Sequence, residues 1–153
     1  MMKVSHLLQN KSGDSVSVGP NESLIRAAEV MVEHRIGSLV VYQDDKLISI
    51  VSERDVMRSV GEFGDQITNI TVSNVMAKNL ITCDIDDSID EAMSIMLHNA
   101  TGSRIRHLPV LNEGEFVGVI SMSDIIETLL AQTKLENNLL KNYIQNWPEE
   151  DEK

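Results

Sequence analysis

Two short stretches carry residue types suited to holding a phosphorylated ligand: Ser52-Glu53-Arg54-Asp55 and Ser121-Met122-Ser123-Asp124. Each follows an apolar run, Leu47-Ile48-Ser49-Ile50-Val51 in the first and Phe116-Val117-Gly118-Val119-Ile120 in the second. Each then passes into a helix-like pattern. Such a β-branched run reads as a buried strand. Ser-x-x-Asp reads as a helix start, with serine at the N-cap and a carboxylate three residues on. A strand feeding a capped helix leaves backbone N–H groups pointing out of the helix tip, where a phosphate is favoured. A plain capping box looks the same, so the weight lies on the pattern's occurring twice in corresponding places.

Arg54 and Arg58 follow the first motif, and Arg104, Arg106 and His107 precede the strand of the second. The chain has 13 Lys and Arg against 24 Asp and Glu, a formal net charge of −11, so two cationic clusters beside the motifs stand out. An arginine fork matches a phosphate; solvated or ion-paired surface arginine is the alternative. Asp84, Asp86, Asp87, Asp90 and Glu91 suit the first turn of a helix better than a cation site. His6, His34 and His98 lack metal-ligand spacing, so no metal is expected. The single cysteine, Cys83, excludes an intrachain disulfide and a Cys-based zinc cluster, and reads as an inert core thiol. No nucleophile elbow, lysine-bearing phosphate loop or dinucleotide fingerprint is present. His107 with Asp124 or Ser121 lacks an orienting partner for a triad. No enzyme is therefore expected.

The 153 residues suffice for a compact core, and 42% hydrophobic with 24% charged residues is a globular composition. Aromatics are only 3%, so aliphatic residues and eight methionines must fill that core. The acidic balance argues against nucleic-acid binding by bulk electrostatics. No apolar run nears the roughly 18 residues of a membrane span, and no signal-peptide core opens the chain. A reduced, cytoplasmic setting fits these features.

The elements that must position the motifs form a repeat. Val16-Ser17-Val18 is a strand candidate, and Gly19-Pro20-Asn21-Glu22-Ser23 opens a helix with Leu24, Ala27, Ala28, Met31 and Val32 on one apolar face. At an offset of 65 residues the same face recurs as Ile89, Ala92, Met93, Met96 and Leu97, with Ser88-x-x-Glu91 as its capping box. After the helix the offset is 69: Leu39-Val40-Val41 matches Leu108-Pro109-Val110, and Ser52 and Asp55 match Ser121 and Asp124. The four extra residues fall near Thr101-Gly102-Ser103-Arg104, either as one more helical turn or as a loop at Gly102. Asp44-Asp45-Lys46 and Asn112-Glu113-Gly114 are hairpin turns, Lys11-Ser12-Gly13-Asp14 is a turn, and Thr71–Met76 matches Lys3–Leu8 as a lead-in. The expected fold class is α+β: two β-α-β-β-α repeats packed by pseudo-twofold symmetry, with a long C-terminal helix. The expected divisions are 1–62 and 71–130 for the repeats, 63–70 for a linker, 131–147 for a helical extension ended by Trp147-Pro148, and 148–153 for a disordered acidic tail.

These residues resemble a tandem pair of CBS domains, or Bateman module, over about Val4 to Ile126. The carriers are Ile36-Gly37-Ser38-Leu39-Val40-Val41 with Ile50-Val51-Ser52-Glu53-Arg54-Asp55, and Val75-Met76 and Ile105-Arg106-His107-Leu108-Pro109-Val110 with Gly118-Val119-Ile120-Ser121-Met122-Ser123-Asp124. The Leu139–Ile144 stretch resembles a subset of stand-alone prokaryotic members. The resemblance implies adenosine-containing ligands, such as AMP, ADP, ATP, NAD or S-adenosylmethionine, in clefts between the repeats. It implies that Asp55 and Asp124 receive the ribose diol, Ser52, Ser121 and Ser123 lie towards phosphate, and the backbone around Ser15–Val18 (Ser17, Val18) and Leu80–Thr82 (Ile81, Thr82) receives adenine. Arg54, Arg106, His107 and Pro109 complete the expected sites.

Ser49 replaces the glycine that copy two has as Gly118, and Val40 stands where copy two has Pro109. Unequal clefts are therefore expected, the copy-two motif with Gly118, Pro109 and Arg106 close by being the better mononucleotide site. The expected task is regulatory adenine-nucleotide sensing through a homodimer or an unidentified target protein. A structural dimerisation module with empty clefts is the alternative. The repeats and the final helix take up both ends of the chain, so no fused effector is expected.

Overall fold

The computed structural model describes residues 2–9, 16–99, 102 and 104–146. The first repeat runs α1 (Val4–Gln9), β1 (Ser17–Val18), α2 (Leu24–His34), β2 (Ser38–Gln43), β3 (Lys46–Ser52) and α3 (Glu53–Phe63). The second runs α4 (Val72–Val75), β4 (Cys83–Asp84), α5 (Ile89–Leu97), β5 (His107–Asn112), β6 (Glu115–Ser121) and α6 (Met122–Gln145). In each, the first strand pairs parallel with the second, which pairs antiparallel with the third. The mixed α+β architecture with its doubled β-α-β-β-α unit and long last helix is the one expected.

Even the irregularities repeat. Val18 faces Val41 and Cys83 faces Val110, and both hairpins slip register at the same place, Val41/Tyr42 and Val110/Leu111. Both turns use two left-handed residues, Asp44 and Asp45 (φ 52° and 59°) and Glu113 and Gly114 (φ 52° and 81°), whose twist matches that of a hairpin.

Leu24, Ala27 and Met31 of α2 pack on Val18, Leu39, Val41 and Val51. Ile89, Ala92 and Met96 of α5 pack on Cys83, Leu108, Val110, Ile120 and Ile125. Each large aliphatic side chain so buried contributes about 1.5–3 kcal/mol. The expected helix face is wider than this contact: Val32 is 78% exposed, because the sheet covers only one side of the stripe.

The lead-in segments cross over. Val4 and Leu7 of α1 are buried in the core of the second repeat, and Val72 of α4 in that of the first. Backbone bonds fasten both: Val4 N to the Asp87 carbonyl (2.8 Å) and Ile89 N to Met2 (3.0 Å), Val72 N to Glu22 (2.9 Å) and Leu24 N to Ile70 (2.9 Å). Tyr42 of β2 meets Phe116 of β6 edge to face, with centroids 5.8 Å apart.

The helix of copy two does not run a turn longer: α5 ends at Leu97, and Gly102 takes φ 73°. Thr101 and Ser103 lie outside the described residues, as do the Lys11–Asp14 turn, Ser15, Trp147-Pro148 and the tail. The stretch expected to link the copies is helical. α3 runs to Phe63 and a 3-10 helix continues from Gly64 to Asn69. α6 is 24 residues long, about 36 Å at 1.5 Å per residue. Every residue from Leu130 to Asn146 is exposed.

The turn chemistry gives one expected outcome. At φ 81° an alanine in place of Gly114 should cost about 1–2 kcal/mol, read as a lower urea midpoint. Asp45→Gly, which installs glycine at the matching left-handed position, should raise the midpoint.

Cys83 gives another. Burial, then Asp87 and Asp84, push its thiol up to about 12 from an ordinary 9.0. The thiol should ignore a disulfide reagent at neutral pH until denaturant is added. Because the folded-state value is the higher one, its contribution to stability is whole below pH 9 and falls as pH climbs towards 12. The stability difference between wild type and Cys83→Ala should shift over that window; an unchanged difference, or rapid native labelling, would contradict the burial.

Candidate ligand cleft

At the first motif β3 hands over to α3 through a closed set of bonds. The Ser52 N–H (2.7 Å) and hydroxyl (3.1 Å) both donate to Oδ2 of Asp55. The Glu53 N–H donates to the Gly37 carbonyl (2.9 Å). At the second motif the Ser121 N–H donates to Oδ2 of Asp124 (2.8 Å), the Asp124 N–H donates to the Ser121 hydroxyl (3.1 Å), and the Met122 N–H donates to the Arg106 carbonyl (2.8 Å). Both motifs are thus capping boxes. The cap bonds to Asp55 use a single carboxylate oxygen, so a cap and a ligand contact are compatible in that side chain.

Around Asp55 the two repeats leave a cavity of about 620 Å³, within the range of small-molecule sites. Ser52, Arg54, Asp55 and Arg58 form one wall; Ile81, Arg104, Arg106 and His107 form the other. Val75, Met76, Ala77 and Asn79, from the lead-in to the second repeat, complete the lining. That segment is fastened to β3: the buried Ser49 hydroxyl donates to the Ala77 carbonyl (2.6 Å) and the Ala77 N–H donates to Ile50 (3.3 Å). Arg54 reaches across the cavity, its Nη1 donating to the Arg104 carbonyl (3.0 Å).

Pro109 has a readable consequence. In the first repeat the Val40 N–H donates to the Val16 carbonyl (3.4 Å). Pro109 and Ile81 occupy the matching positions, and proline has no N–H to give. β4 accordingly begins at Cys83, and Ile81 lines the cleft outside the ladder.

Six expected site residues, Ser52, Arg54, Asp55, Ile81, Arg106 and His107, meet in this one cavity. Ser17 and Val18 lie in β1, Thr82 just before β4, and Pro109 is buried in β5. Ser121, Ser123 and Asp124 sit at the start of α6. Arg106, expected to serve the second motif, divides its roles. Its carbonyl receives the first N–H of α6 while the residue lines the Asp55 cavity, because β5 begins at the seam between the repeats. Nor does Gly118 leave open space: a Cβ there would stand 2.8 Å from Cδ2 of Leu8, which α1 brings over. Gly37 has a like role at the seam, where a Cβ would lie 3.3 Å from the Glu53 carboxylate and the His107 ring. Val75, Met76, Ala77 and Asn79 line the cavity without having been expected as site residues. The match of Thr71–Met76 to Lys3–Leu8 marks them as a unit but not the surface they cover.

The acidic cluster is accounted for locally. The Asp84 N–H donates to Asp87 (2.9 Å), the Asp86 N–H to Asp84 (2.9 Å), and the Ser88 N–H to Glu91 (2.9 Å).

Comparison with known proteins gives the same outline. The CBS domain family profile matches residues 5–62 and again 72–131. A CBS-domain containing protein from Agrobacterium tumefaciens, known by crystal structure, is 36% identical, with a TM-score of 0.75 over 83% of this chain and 98% of that one. An uncharacterized protein of Methanopyrus kandleri is 30% identical over 74% of this chain and 57% of its own length. The CBS domain pair of protein MJ0100, solved in complex with 5-methylthioadenosine and S-adenosyl-L-methionine, shares the fold at 22% identity and a TM-score of 0.71, over 86% of this chain and 98% of that one. The chain spans 57% to 66% of the length of three curated relatives that it matches.

Proposed function

The chain belongs to the CBS-domain family, with two copies of the domain, and from that footing we propose that it is a regulatory module binding an adenosine-containing ligand in the Asp55 cleft. The carrying observation is the cavity itself. It gathers a carboxylate for a ribose diol, guanidinium groups for phosphate, and the Ile81 backbone, whose carbonyl Pro109 leaves without a ladder donor. A ribose offers two hydroxyl donors to a carboxylate, which a phosphate would repel. The ligands in view are AMP, ADP, ATP and NAD, acting as regulators rather than as cofactors of a reaction. The module changes state with its ligand and passes that on through a homodimer or a target protein. It is not itself catalytic, and it works in the cytoplasm. Among the described residues no helix is long and apolar enough to cross a membrane.

A thermal-shift screen tests this first. A ligand at a hundred times its dissociation constant stabilises by about 2.7 kcal/mol, raising the melting temperature by roughly 5–10 °C in a chain of this size. Asp55→Ala should keep its fold, since a lost cap costs about 0.5–2 kcal/mol, yet bind about 10- to 100-fold more weakly. If the variant is folded and binds as the wild type does, Asp55 is a helix cap only.

The dimer has its own support. Ile25, Ala28, Val32, Val56 and Val60 line an apolar groove between α2 and α3. Leu135, Leu139, Leu140, Tyr143 and Ile144 are each 57% to 64% exposed along α6. Stripes of this extent mark interaction surfaces. Light scattering at micromolar concentration should give twice the 17.1 kDa chain mass. Leu139→Glu with Ile144→Glu reports on the α6 face and Val32→Glu with Val60→Glu on the groove. A wild-type monomer would sink the dimer.

A further inference from the structure

We infer that the Asp55 cleft selects by phosphate number, taking a nucleoside polyphosphate in preference to a nucleoside or monophosphate, with Arg58, Arg104 and Arg106 as its specificity-determining residues. This rests on the adenosine reading above and narrows it to one ligand class.

Four of the chain's six arginines, Arg54, Arg58, Arg104 and Arg106, line this one cavity. All four are exposed, and among the described residues none is in an ion pair. The contrast is Arg26, which holds Glu29 at 3.1 Å and Glu33 at 3.3 Å on the surface of α2. With 24 carboxylates against 13 Lys and Arg, acidic partners are abundant. Only Glu53 and Asp55 reach the cavity lining, and Asp55 already receives the Ser52 donors. Like charges gathered in a partly enclosed space repel one another, so the arrangement is relieved by an anion that spans them.

The placement fixes what that anion must be. Arg54 and Arg58 lie one helical turn apart on α3, while Arg104 and Arg106 come from the opposite wall. Arg54 is already tied to the Arg104 carbonyl, and the other three remain to hold ligand. One phosphate is met by one or two guanidinium forks. Charge spread over both walls is neutralised by a chain of phosphates leading away from a ribose at Asp55. A ligand bearing a sulfonium brings a positive charge into this field and is disfavoured.

Calorimetric titration of the full chain, without added divalent cation, decides the matter. Adenosine, AMP, ADP, ATP, S-adenosylmethionine and inorganic tripolyphosphate are compared at low and high salt. Affinity should rise with each phosphate and reach at least about tenfold from AMP to ATP. That gain should shrink with salt. Arg104→Gln with Arg106→Gln should bring the ATP-to-AMP affinity ratio down to about one while the variant still unfolds cooperatively. Equal affinity for AMP and ATP, or an undiminished gain in the variant, overturns the inference and leaves adenosine binding standing. Tripolyphosphate binding as tightly as ATP overturns the nucleoside part. Failure of every adenosine ligand overturns the reading on which the inference rests.

Discussion

The backbone bonds that fasten each lead-in segment to the opposite repeat hold the rest of this structure in place. A three-stranded sheet with one covering helix is a thin core, and a unit of that size is marginal alone. Here the first helix of the chain completes the second core, through Val4 and Leu7, and Val72 completes the first. Each core is thus closed by a segment that precedes the other repeat in the chain. Each bond is worth only about 0.5–1.5 kcal/mol net, but the buried apolar side chains they position multiply the effect.

The cleft follows from that exchange. Once α4 is docked on the first repeat, the chain has to travel from Met76 back to β4, and the path runs along the seam. Ser49 and Ile50 hold Ala77 there, so Val75, Met76, Ala77 and Asn79 become cavity wall instead of loose connection. The position where the second repeat has Gly118 is a serine in the first because its neighbour is a carbonyl to be satisfied. Gly118 faces the apolar Leu8 instead, and there only a missing Cβ fits.

Charge is distributed against the grain of the composition. A chain of net charge −11 brings four of its six arginines to one seam, where among the described residues none forms an ion pair. The carboxylates, meanwhile, serve caps and turns: Asp55, Glu91 and Asp124 in capping boxes, Asp84 and Asp87 around the turn before α5. Near-identical hydrogen bonds at Ser52-x-x-Asp55 and Ser121-x-x-Asp124 therefore sit in different fields, because the arginines belong to one side of the repeat and not to both.

The repeat, its β-α-β-β-α order and the two helix starts were legible from residue types alone, since periodicity, caps and turn residues are local properties that act over a few positions. Leu24, Ala27 and Met31 announce a buried face by spacing, and Ser-x-x-Asp announces a cap by the reach of one side chain. The role of Arg106 was not legible in this way. Its carbonyl belongs to one motif, yet the residue lines the cavity of the other, and that division depends on how two sheets meet. The same holds for Leu8 beneath Gly118, for Ala77 beside Ser49, and for Val32, which periodicity places in the core and the fold leaves in the open. Sequence determined which segments form elements and where they begin. Only the packing of the repeats across their exchanged lead-ins decided which of those elements share a cleft, because that contact joins residues far apart in the chain and no local pattern encodes its register.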